Sequence, residues 1–336
     1  MISNLVSQQL KYWENRNINQ RDIASAYQNW NDNVNNIFIF KFKNEKVFIN
    51  SKPSFYDDSQ LEKIDINTPR PLKRALQYLD FLNKVTLHKN LSLDFEIALK
   101  VSDEPIKSYE VPSFSFQKME FSPEILLPDI DIISPDLHNF QIDEIPYGQK
   151  FTKAVFVGST TGMRHTAESV MSLENERLKN GVFFKDEPLV DFNLPNIVQC
   201  TDEVKALIMQ LGINRSRIEW SEQFKNKFII SMDGNGATCS RVFLALKSNS
   251  VLMKYASHHQ LFYFPLLRAY EHFLPIYNPK DVLYFIKMEK QLTDTYRKIN
   301  ANAKHFFNDF LCMDSLIQYT AQILIAYNKL IIRSAL

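Results

Sequence analysis

From residue 153 to the C-terminus, strand-length apolar runs take turns with helical patterns. KAVFVGS (153–159), KFIISMD (227–233) and SVLMKY (250–255) read as strands, and residues 163–179 and 238–247 as helices. A helix through 266–271, a short strand at 273–276 and further helices complete this half. Strands separated by helices pair in parallel, because the returning helix brings the chain back to start each strand at the same end. A parallel sheet needs cover on both faces, so the pattern specifies an α/β fold.

The first half is organised differently. Residues 1–30 read as helical and polar, and NIFIFKF (36–42) and KVFIN (46–50) as two strands of a hairpin turning at Asn44-Glu45. Pro69 and Pro71 open a helix to about Val85, with Leu72, Leu76, Leu79 and Leu82 at helical spacing, and LDFEIALKV (93–101) alternates as a strand. Residues 103–146 carry Pro105, Pro112, Pro123, Pro128, Pro135 and Pro146, which favours short extended pieces joined by turns. At 336 residues the chain exceeds one ordinary core, and two domains are expected, 1–150 and 151–336, with the last helix packing back on the first.

Apolar residues at 45% and charged residues at 23% exclude a disordered chain. A net charge of +1 with dispersed basic residues gives no basis for a nucleic-acid partner. Cys200, Cys239 and Cys312 are odd in number and far apart, which fits neither a zinc site nor a disulfide framework. The N-terminus lacks the pattern of a signal peptide, and the apolar stretch 316–332 is broken by Gln318, Gln322, Asn328 and Lys329. A cytoplasmic protein is expected, with at most peripheral membrane contact at the inner face.

Glycine is scarce, and its placement is therefore informative. Four of the seven fall in two strand-to-helix junctions: Gly158 and Gly162 in VGSTTGMRH, Gly234 and Gly236 in MDGNGATCSR. A glycine-bearing turn that opens a helix leaves backbone N–H groups and the positive end of the helix dipole free for an anion. Each junction adds an arginine, Arg164 and Arg241, whose fork matches a diphosphate. Neither segment is a GxxxxGK[ST] loop or a GxGxxG fingerprint. The residues alone specify a phosphate-bearing ligand, and solvated turns are the competing reading.

The order of residues across 230–276 resembles the C-terminal signature of glycosyltransferase family 90, which includes Rumi-type protein O-glucosyltransferases, capsule xylosyltransferases and bacterial lipopolysaccharide-modifying enzymes. Asp233-Gly-Asn235, Arg241, SNSVLMK (248–254), and Phe262-Tyr263 leading to His272 and Pro275 match the bacterial branch in sequence order. VFVGSTTGMR (155–164) resembles an upstream family segment, and KVSDEPIKSYEVPSFSF (100–116) resembles the segment carrying the catalytic aspartate, Asp103. The chain departs from the family around Cys239, at Ala269-Tyr270 and at Gln260-Leu261.

The resemblance implies a GT-B architecture of two Rossmann-like domains facing a cleft. It also implies inverting, metal-independent transfer of a hexose or pentose from a UDP-sugar, a co-substrate and not a cofactor, to a bacterial surface glycan that can be lipid-linked. Asp103 would be the general base. Gly158, Ser159, Arg164, Gly234, Asn235, Gly236, Thr238, Ser240, Arg241, Lys254 and His258 would line the donor site. Two other readings compete: an aspartate-dependent phosphohydrolase acting through Asp233, and a non-catalytic nucleotide-sugar-binding module. Asp129-Ile-Asp131 lies in the proline-rich run and reads as surface turn chemistry, and His272 as a packing residue.

Overall fold

The computed structural model describes every residue except 1, 17, 19, 34–35, 54–55, 57–67, 104–109, 141–142, 238–239 and 334–336. The chain divides into two compact units. The first contains 1–138, 259–265 and 312–336; the second contains 139–258 and 266–311.

The first unit begins with α1 (Ile2–Leu10) and α2 (Gln20–Asn33), then the antiparallel pair β1 (Ile37–Asn44) and β2 (Lys46–Ser51). Asn44 takes the left-handed conformation, φ 57°, that turns the hairpin, and asparagine tolerates it better than most residues. α3 (Arg70–His88) follows, with Pro71 in its first turn, then β3 (Leu93–Lys100), β4 (Phe114–Ser115), β5 (Lys118–Met119), β6 (Ile125–Leu126) and α4 (Pro135–His138). The sheet order is β2-β1-β3-β4-β6, antiparallel as far as β3 and parallel from β3 to β6. On the edge strand β2, the Asn83 carboxamide of α3 accepts from Val47 N at 2.9 Å and donates to Val47 O at 3.1 Å. Asp129 does form a turn, accepting from Asp131 N at 2.8 Å, but it is buried (1% exposed) and not a surface residue. Its place after a buried strand, next to Pro128 whose carbonyl accepts from the buried Tyr78 hydroxyl of α3 at 2.7 Å, accounts for that.

The second unit holds β7 (Phe151–Ser159), α5 (Ala167–Met171), α6 (Glu176–Phe183), β8 (Val190–Asn196), α7 (Asp202–Gln210), α8 (Trp220–Gln223), β9 (Asn226–Ser231), α9 (Ser240–Lys247) and β10 (Val251–Tyr255). β11 (His259–Gln260) pairs with β5 in the first unit; β12 (Leu274–Ile276), α10 (Pro279–Gln291) and α11 (Arg297–Phe310) complete the second. α12 (Met313–Arg333) returns to the first unit, where Tyr319 donates to Leu126 O at 2.7 Å and Tyr327 packs edge-on to Phe95 and Phe114.

The second unit's sheet is wholly parallel, in the order β8-β7-β9-β10-β12. The α/β expectation from strand-helix alternation holds. Two helical expectations are corrected. Residues 163–179 form two helices, not one: Thr166 caps α5 in a capping box with Ser169, Leu173 turns at φ 51°, and Asn175 caps α6. Side-chain oxygens there outcompete continuation of the helix. Residues 266–271 form a tight loop, because Arg268 O accepts from His272 N at 2.9 Å and Phe273 O accepts from Tyr270 N at 2.8 Å. Strand β8 and helices α7 and α8 were not anticipated; VDFNLPN has a proline and no clean alternation.

Beneath this sheet Lys227 is buried against Glu289 at 2.6 Å and lies 4.7 Å from the Tyr147 ring centroid. Glu289 also accepts from Asp294 N and Tyr296 N, so the carboxylate pins the α10–α11 connection. Lys227→Met leaves that carboxylate buried without its cation, a loss of about 3–5 kcal/mol. A thermal melt should show the transition lowered by roughly 10 °C.

Candidate functional site

In a doubly wound sheet, ligands bind beyond the carboxyl ends of the strands, where the order of connection reverses. Here β7 connects to β8 on one side, and the chain then crosses to β9 on the other, so the reversal lies between β7 and β9. The two glycine-bearing junctions leave those two strands. The structure thus brings together the segments that the sequence analysis paired.

One residue holds the two loops at a fixed separation. Arg177, near the start of α6, donates from Nε to Asp233 O (2.9 Å) and from Nη2 to Met232 O (2.9 Å). Its Nη1 donates to Ser159 O and Thr161 Oγ1, both at 2.8 Å. A guanidinium presents its N–H groups in a rigid plane, so a single side chain can satisfy acceptors from both loops. The glycines fit around it. A Cβ on Gly234 would collide with Thr161 Oγ1 and lie 2.9 Å from Arg177 Nη2. Gly162 sits at φ +125°, a region few other residues enter. Gly158 has a packing reason: a Cβ there would lie 2.9 Å from the Phe156 ring.

At the rim, three successive strand ends are stitched together. Asn235 Oδ1 accepts from Gly162 N and from Gln199 Nε2, each at 3.0 Å, and Gln199 Oε1 accepts from Gly162 N at 3.3 Å. These residues follow β9, β7 and β8. On the other flank Ser257, following β10, donates to Asp233 Oδ2 at 2.5 Å. Asp233 is thereby engaged through both its carboxylate and its carbonyl.

The two arginines differ sharply. Arg241, in the first turn of α9, is buried; its Nη2 donates to Val157 O at 2.6 Å and its guanidinium lies 4.4 Å from the Phe156 ring centroid. Phe156 stacks on Phe192 at 4.4 Å. Arg164 is exposed and makes no hydrogen bond or ion pair among the described residues. His258 is likewise exposed, after β10. Ser240 begins α9, half-buried; Lys254 is on β10, its Nζ donating to Tyr255 O at 3.3 Å; Gly236 O accepts from Gly234 N at 3.2 Å. Thr238 lies outside the described residues.

Asp103 belongs to the first unit, just beyond β3, with a side chain 30% exposed. Arg74 Nη1 and Gln117 Nε2 each reach its Oδ1 at 3.5 Å, and Arg74 is itself anchored to Val101 O at 2.8 Å. Gln117 follows β4, so the carboxylate lies past the ends of the parallel strands of its own sheet. His272 packs on Phe306 and accepts from Arg268 N, and burial lowers its pKa. Among the described residues no group of three or more His, Cys, Asp or Glu could hold a metal ion.

A family model, Glycosyl transferase family 90, matches residues 92–334. The chain belongs to glycosyl transferase family 90. That membership makes it a glycosyltransferase, with a sugar donor and an acceptor, and the match takes in Asp103 and both glycine junctions. No curated protein sequence matches the chain. Among solved structures it has a distant likeness to the C-terminal domain of a glycosyl transferase group 1 family protein (LpcC) from Francisella tularensis, at 12% identity and TM-score 0.31, covering 52% of this chain and 97% of that one. The GtfA/B complex shows 12% identity and TM-score 0.32, with 56% of this chain and 38% of that chain covered.

Sequence reasoning missed Arg177, Gln199 and Ser257. Arg177 stands alone on a helix, and its acceptors at Met232 and Asp233 lie 55 and 56 residues away, so no local signal marks it. Arg177→Lys keeps the charge but loses the fork, leaving buried carbonyls unpaired at about 1–3 kcal/mol each. Differential scanning calorimetry should record a fall of roughly 5–10 °C.

Proposed function

We propose that this family 90 glycosyltransferase moves a hexose or pentose from a UDP-sugar to a bacterial surface glycan, lipopolysaccharide or a related polysaccharide, with inversion at the anomeric carbon. One observation carries the donor assignment. Loops from neighbouring parallel strands converge at the reversal of strand order, and an unpaired exposed arginine stands beside them. Anionic ligands suit such a place, because Arg164, the Asn235 side-chain amide and the opening turn of α9 all offer donors.

The roles follow from that reading. Arg164 forks onto the diphosphate. Gly234, Asn235, Gly236, Thr238 and Ser240 supply main-chain and hydroxyl donors, and Lys254 and His258 border the sugar. Arg241 contributes positive potential from beneath while bracing Val157. Asp103, in the first unit, takes the proton of the acceptor hydroxyl. The acceptor oxygen forms its bond to the anomeric carbon as the bond to the UDP oxygen breaks on the opposite face, which inverts the centre. The negative charge that collects on UDP is stabilised by the arginines, so the reaction proceeds without a divalent ion. Among the described residues no helix is long and apolar enough to cross a membrane. The reading places the enzyme in the cytoplasm, with a lipid-linked acceptor met at the membrane's inner face.

UDP should raise the melting temperature in EDTA, and Arg164→Ala should weaken UDP binding by about tenfold by titration calorimetry. Asp103→Asn should lower turnover by at least about a hundredfold while UDP affinity stays within about twofold. Loss of UDP binding in Asp103→Asn would remove Asp103 from the role of base.

A further inference from the structure

The outer surface of α10 and the loop before it carry large apolar side chains into solvent. Tyr270, Tyr277 and Tyr284 are 63%, 74% and 58% exposed. They form one neighbourhood. Tyr270 and Tyr284 both flank Phe285, with ring centroids at 6.4 and 5.4 Å, and Tyr277 N is tied to the Asp281 carboxylate in the first turn of the helix.

The exposed charged residues of α10 are all lysines. Lys280, Tyr284 and Lys287 are exposed at i, i+4 and i+7, which places them on one stripe about 10 Å long. Lys290 follows one turn later. The three ammonium groups make no ion pair among the described residues. The acidic neighbours are engaged: Asp281 accepts from Tyr277 N and Asn278 N, Glu289 is buried on Lys227, and Glu271 pairs with Arg268.

Tyr270 adds a separate observation. It sits at φ 62°, in the left-handed region that bulky side chains rarely occupy. The loop's hydrogen bonds hold it there, and the ring so displayed is mostly in water. A ring held this way and left largely in water adds little to the core and is available for contact.

We infer that this face docks on an anionic membrane surface. Tyrosine has an apolar ring and a polar tip, which suits the headgroup boundary, and lysines on the same stripe supply attraction to anionic lipid. Exposed tyrosines flanked by lysines suit shallow interfacial contact, and among the described residues no helix is long and apolar enough to cross a membrane. The inference gives a surface to the membrane contact proposed above, and because vesicle binding is measured without donor or acceptor, its failure is separable from failure of the transferase reading.

The test is co-sedimentation of the full chain with phosphatidylcholine vesicles, with and without about one-third phosphatidylglycerol. Binding should require the anionic lipid and weaken in high salt, by about fivefold for each lysine removed. Lys280→Glu/Lys287→Glu should lower partitioning by at least about tenfold. Tyr270→Gly relieves the left-handed strain, so it should melt no lower than the wild type while binding vesicles less well. Equal sedimentation with both vesicle types, full binding by the double lysine variant, or equally tight capture by a soluble polyanion with none by vesicles would overturn the inference.

Discussion

The second unit is organised around one guanidinium. Arg177 supplies hydrogen bonds to the chain leaving β7 and to the chain leaving β9, and no backbone pairing could connect the two once the strands have ended. Burying a cation is costly in the abstract. Here the cost is offset because the planar fork meets four oxygen acceptors and lies against the Phe156 ring. The spacing of the loops, the need for glycine at 234 and the reach of Asn235 to Gly162 all follow from that geometry. The rim is fixed before any ligand arrives, so little ordering is left for a ligand to supply.

Arg164 and Arg241 look equivalent in the chain, each a short distance after a glycine junction, yet they are held in opposite ways. A helical first turn and the packing of Phe156 on Phe192 draw Arg241 inward to a strand carbonyl, whereas Arg164 precedes the Thr166 cap and stays outside. Position relative to the helix start decides the outcome. An arginine inside the helix is committed to one face, and an arginine ahead of the cap is free of it.

Much of the architecture was legible because it is written in local pattern. Alternation of strands and helices specified a parallel sheet, the Asn44-Glu45 turn specified the hairpin, and Pro71 marked the start of α3. Failures occurred where side chains override pattern. Thr166, Ser169 and Asn175 divide a helical stretch, and a histidine ring accepting from Arg268 N helps fold a loop where periodicity suggested a helix. The site was legible to the extent that glycine is rare. Its cross-links through Arg177, Gln199 and Ser257 depend on strand order, which local pattern does not encode.

The first unit is assembled from three separated stretches, and the last of them is the final helix. Tyr319 and Tyr327 are buried in its core, one bonded to Leu126 O and the other packed on Phe95 and Phe114. During synthesis, therefore, residues 2–138 emerge well before the helix at 313–333 that completes their core. The strands of the second unit's parallel sheet lie within 151–276 and can pair while the opening 138 residues still await their closing helix. Until that helix is made, the sheet of the first unit displays the apolar surface the helix will later cover, and a partly made chain is open to aggregation there.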